Sequence, residues 1–113
     1  MKNRDLFEQL IKENVLEKFQ KNRYGRYVLL SAHIQAMEEC KIISRADVMS
    51  NLSEFARLLT EILGENVCYK KFHQQYHNPT HHQYDMIDEY IISYNEITSN
   101  HWQAQIDTET QDM

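Results

Sequence analysis

The chain has 113 residues, 42% hydrophobic and 26% charged, with a formal net charge of −5. This is the mix of one small globular domain whose modest core often gains from self-association. Two glycines and one proline are too few for the turns of an all-β fold, and two cysteines outside any CxxC pair exclude a disulfide scaffold.

The first helix is expected from Asn3, a capping residue, to about Phe19. Leu6, Phe7, Leu10, Ile11, Val15, Leu16 and Phe19 recur at spacings of three and four, and Glu8, Lys12, Glu13 and Glu17 occupy the opposite face. Gly25 is read as its left-handed stop. The second helix, Arg26 to Cys40, is apolar on most sides. That places it at the centre of the domain or in a homodimer interface, and a homodimer is the expected assembly. His33 inside it is read as a core residue. Ser44 opens the third helix with Asp47 three residues on, a capping-box variant, and Asn51 or Ser53 is a candidate second cap. Val48 to Leu63 keep the apolar rhythm and Gly64 ends the run.

Residues 65–77 read equally as a short extended piece through Val67 and Tyr69 or as a helix with Tyr69, Phe72 and Tyr76 on one side. Asn78-Pro79 marks the next boundary, with Asn as cap and Pro at the first helical position. The fourth helix follows with Tyr84, Ile87, Ile91 and Tyr94 on one stripe, Tyr84 and Tyr94 being taken to edge the core. It fades near Thr98. The fold class is therefore all-α: a compact bundle of about four helices over residues 1–102, with a flexible acidic tail over 103–113.

Charge is divided along the chain. Residues 1–45 hold nine Lys/Arg against six Asp/Glu, and residues 46–113 hold three against eleven. No Lys or Arg follows Lys71. Such asymmetry points to partners selected by electrostatics. No apolar run approaches the roughly 20 residues that span a bilayer, and the N-terminus has no apolar leader core, so no membrane partner and a cytoplasmic location are expected.

Three constellations bear on function. Asp85, Asp88, Glu89 and Glu96, with Tyr90 and Trp102 as anchors, form the expected docking surface for a protein partner with a basic surface. The chain then acts as an adaptor or inhibitor, and where its partner's surface is one that holds nucleic acid, as a competitor. Lys18, Lys21, Arg23, Tyr24 and Arg26 form a basic–aromatic stretch. It supports the alternative of a dimeric nucleic-acid-binding regulator, with phosphate contacts and base stacking. His73, His77, His81 and His82 with Asp85 form a third alternative, a site for zinc or another divalent transition metal, because an i, i+4 pair puts two imidazoles on one helix face. No recognised ligand spacing such as HExxH accompanies it. A helix-turn-helix over 26–63 is disfavoured, since Asp47, Glu54 and Glu61 face one Arg57 on the recognition helix. Neither a nucleophile–base pair nor a glycine-rich phosphate loop is visible, so no enzyme activity and no cofactor are expected.

Overall fold

A computed structural model describes the backbone of residues 1–111 and the side chains of residues 1–100. Every regular element among them is an α-helix: α1 Arg4–Asn14, α2 Leu16–Lys21, α3 Arg26–Glu39, α4 Arg45–Met49, α5 Leu52–Leu63, α6 Tyr69–His77 and α7 His81–Gln111. The four expected helices are all present. Two are divided, and α6 is added. Among the described residues no helix is long and apolar enough to cross a membrane. The expected tail over 103–113 and the anchor Trp102 lie outside the residues whose side chains are described.

α1 and α2 are halves of the first expected helix, offset at Val15 (φ −119°, ψ −39°). The hydrogen-bond ladder still runs through the offset, from Val15 N–H to Ile11 O and from Phe19 N–H to Val15 O. Asn3 makes no capping bond, and its side chain donates instead to Ile42 O at 3.3 Å. Gly25 is left-handed (φ 72°), but it opens α3 rather than closing α2, which ends in the extended Asn22.

α3 ends within one residue of expectation. The turn after it is a Schellman motif: Ile42 N–H bonds Met37 O and Lys41 N–H bonds Glu38 O. Lys41 occupies the left-handed position (φ 62°) that glycine fills most easily. Ser44 and Asp47 close the capping box before α4, with Asp47 N–H to Ser44 Oγ at 3.1 Å and Ser44 N–H to the Asp47 carboxylate at 2.9 Å. Asn51 re-caps the chain by accepting from Glu54 N–H, which splits the third helix into α4 and α5. Gly64 (φ 71°) ends α5 as expected.

Residues 69–77 are helical, because Phe72 and Tyr76 lie buried in line with Phe55, the rings 5.9 and 5.6 Å apart in turn. Asn78 closes α6 rather than capping α7. Thr80 takes the capping role, its Oγ1 accepting from Gln83 N–H at 3.2 Å, and Pro79 lies before the helix instead of inside it.

α3 is the hub, packed chiefly against α7 and α6, while α1 and α2 close the other side against α5. Leu30, Ile34 and Met37 of α3 are fully buried with Phe7, Phe19, Leu59, Leu63 and Phe72. The apolar middle of α3 is thus buried within the chain, while Tyr27, Val28 and Leu29 at its start stay half-buried. Across the α3–α7 contact His33, 4% exposed, stacks on Tyr90 at 3.7 Å and shares a 2.6 Å hydrogen bond between Nδ1 and the Tyr94 hydroxyl. Its Nε2 has no hydrogen-bond partner among the described residues.

Candidate functional site

α7 lies with Gln83, Ile87, Tyr94 and Thr98 buried toward the body. This inner row is shifted from the expected stripe. Gln83 is fully enclosed, donating to Gln35 Oε1 at 2.7 Å and accepting from Gln75, whereas Tyr84 is 55% exposed. Tyr94 is buried as expected. Tyr84 does not edge the core.

The outward row of α7 reads Asp85, Glu89, Ile92 and Glu96, at spacings i, i+4, i+7 and i+11, one helix face about 17 Å long. Asp88 sits beside it. All four carboxylates are exposed, and none forms an ion pair among the described residues. In their midst Ile92 is 71% exposed, a large aliphatic group that no described element covers. The docking row thus has an apolar centre in an acidic rim. Tyr90, expected as an anchor, is half-buried against His33. The exposed Ile92 and Tyr84 were not singled out as contact residues in the sequence, because a single isoleucine among acids gives no period of its own.

Beside the row, α3, α4, α6 and α7 border an open cavity of about 500 Å³ that Glu38, Arg45, Tyr76, His77, Tyr84 and Asp88 help to line. The Tyr76 hydroxyl donates to Glu38 at 2.6 Å, and the Arg45 guanidinium lies 5.9 Å from the Tyr76 ring centre. Burial raises the Glu38 carboxyl above its usual range, although the Tyr76 hydroxyl and the nearby Arg45 charge pull the other way. Burial raises the Tyr76 hydroxyl too, reinforced by the Glu38 charge.

The basic stretch is dispersed. Lys21 is tied to Glu17 on its own helix at 2.6 Å, Lys18 is exposed, and Tyr24 stands 97% exposed in the α2–α3 loop. Arg26 is half-buried, bonded to Glu65 at 2.8 Å with its guanidinium 4.5 Å from the Phe19 ring centre. Arg23 and Arg26 meet Lys71 at one cleft.

Of the histidines, His73 and His77 touch edge to face at 4.2 Å on α6. His81 and His82 are exposed on the first turn of α7, and Asp85 lies one turn further along. Among the described residues no three His, Cys, Asp or Glu side chains gather as a metal ion would require. The two thiols are free; burial raises that of Cys40, and the backbone N–H groups of Lys71 and Lys70 lower that of Cys68.

No family model, no curated protein and no solved structure matches the chain.

Proposed function

We propose that the protein is an α-helical interaction module, an adaptor or inhibitor, that docks the outward face of α7 on a protein partner with a basic surface. The observation that carries this reading is the row itself: an exposed Ile92 set among Asp85, Asp88, Glu89 and Glu96, all exposed and without cationic partners among the described residues. An apolar anchor ringed by charge is the layout of an interface, in which the apolar centre supplies affinity and the rim supplies orientation and encounter rate. Tyr84, at the border of the row and the cavity, adds a second contact with a polar tip. The length of the face suits a macromolecular surface better than a small ligand.

The test is capture from nuclease-treated host lysate by the tagged chain, in parallel with its Asp85→Lys/Asp88→Lys/Glu89→Lys variant and with Ile92→Asp. A stoichiometric protein retained by the unaltered chain, lost from both variants and released by salt, is the expected result. Equal retention by all three chains, or retention that collapses with nuclease, overturns the proposal. Sedimentation of the purified chain is expected to show no association that the triple reversal abolishes. If it does, the partner is a second copy of the chain and the reading of a separate basic partner fails.

A further inference from the structure

A second site lies away from the acidic row, where the starts of α3 and α6 meet the end of α2. A cleft of about 510 Å³ opens there, lined by Gln20, Arg23, Arg26, Tyr27, Glu65 and Lys71. Its volume lies within the roughly 300–1,000 Å³ of small-molecule sites. Three cationic side chains face one carboxylate, in a chain whose net charge is −5. The cations are not equally free. Arg26 is held from below by the Phe19 ring and bonded to Glu65 at 2.8 Å, so its guanidinium is already in place for an oxyanion. Arg23 and Lys71 are exposed and form no ion pair among the described residues. Tyr27 ties the two helix starts together: its hydroxyl oxygen accepts from Cys68 N–H at 2.9 Å, which leaves the hydroxyl proton available as a donor.

The backbone adds charge of the same sign. Neither α3 nor α6 has an acidic residue in its first turn, so the positive end of each dipole adds to the field of the cations beside the cleft. At the start of α6 the Cys68 thiol is lowered first by the backbone N–H groups of Lys71 and Lys70 and then by their ammonium charges.

We propose that this cleft binds the phosphate group of a small phosphorylated ligand, with Arg26 and Tyr27 as fixed donors, Arg23 and Lys71 closing over it, and Glu65 displaced from Arg26. Glu65 holds the position on Arg26 that the ligand's oxygen takes. It lies on the short α5–α6 connection and is partly exposed, so it can swing outward without disturbing the core. Its displacement makes a distinctive prediction, since removing this carboxylate's charge improves the site.

Pyrophosphate and orthophosphate are the probes, titrated by calorimetry into the full chain at low salt. Saturable binding of pyrophosphate, tighter than that of orthophosphate, is expected. Arg23→Ala and Lys71→Ala, both at exposed positions, each weaken it about tenfold, the order of one charge-assisted hydrogen bond. Glu65→Gln tightens it severalfold, and the triple reversal on α7 leaves it unchanged. Absence of saturable binding, affinity indifferent to Arg23 and Lys71, or weaker binding by Glu65→Gln each overturns the proposal. Binding of single-stranded RNA without pyrophosphate binding overturns it in favour of an extended nucleic-acid surface. The α7 control keeps failure here distinct from failure of the docking surface.

Discussion

His33 gives the sharpest test of the core. Its ring is 4% exposed, stacked on Tyr90 and bonded through Nδ1 to the Tyr94 hydroxyl, and its Nε2 meets no described partner. Burial, with a smaller contribution from the Lys18 charge, lowers its pKa from 6.5 to about 3. The unfolded chain therefore takes up a proton near pH 6.5 that the folded chain refuses until about pH 3. Above the unfolded value the contribution to stability is complete. Below it, stability falls as pH falls, down to the folded value. At pH 5 the loss is about 2 kcal/mol, from 1.36 kcal/mol per unit over about 1.5 units. That is a large share of the roughly 5–15 kcal/mol of a typical domain. Glu38 works in the opposite sense, because its raised carboxyl favours the folded state as the pH drops. The clean measurement is therefore a difference. Urea unfolding followed by circular dichroism at about pH 7.5 and about pH 5 is compared between the unaltered chain and His33→Phe, which keeps the stacked ring but cannot titrate. The unaltered chain is expected to lose about 2 kcal/mol more than the variant between the two pH values. An identical loss in both refutes the account: it shows that the imidazole takes up its proton within the folded state.

Three substitutions test the joints around that core. Lys41→Gly removes the side chain from a left-handed position while keeping the Schellman bonds, and is expected to raise stability by about 0.5–1 kcal/mol in urea titration. Gln83→Leu leaves Gln35 and Gln75 without their shared partner in a buried setting, and is expected to lower stability by about 1–3 kcal/mol despite its added apolar surface. Tyr76→Phe removes the hydroxyl that donates to Glu38, with an expected loss of about 1 kcal/mol near neutral pH that shrinks as Glu38 becomes protonated in acid.

The sequence was most legible where a feature depends on residues a few positions apart. The Ser44–Asp47 box, the second cap at Asn51 and the stop at Gly64 are local chemistry, and all three are in the fold. The offset at Val15 has no glycine or proline to announce it. Lys41 hides a tight turn behind a residue that rarely adopts a left-handed conformation. Asn78 precedes Pro79, a position that disfavours helical backbone, so the asparagine ends α6 and Thr80 starts α7. For α7 the period was correct and the phase was wrong. A buried glutamine looks polar in sequence, and only the side chains of Gln35 and Gln75, from two other helices, make position 83 an interior one. That shift of about a tenth of a turn, which keeps Ile87 and Tyr94 inside, carried Tyr84 out of the inner row. The acidic residues of the row were readable from composition alone, but their meeting with Ile92 needed the packed helix.

The spacing of those acids separates two explanations for them. Acidic residues strengthen a helix when they sit in its first turn, yet the first turn of α7 has none. Asp85 instead faces Asp88 and Glu89 at i+3 and i+4, and each like-charge pair of this kind costs roughly 0.2–0.5 kcal/mol. A helix selected only to cover α3 gains by a lysine at position 89, since acid followed by base four residues on is the favourable order. Glu89→Lys is therefore expected to stabilise the isolated chain by about 0.5 kcal/mol, read from its urea midpoint, while weakening capture of a basic partner. Opposite movement of stability and binding is the signature of charge kept for an interface. If the variant is destabilised, or binds as well as the unaltered chain, the acids belong to the helix itself and the docking surface must be sought elsewhere.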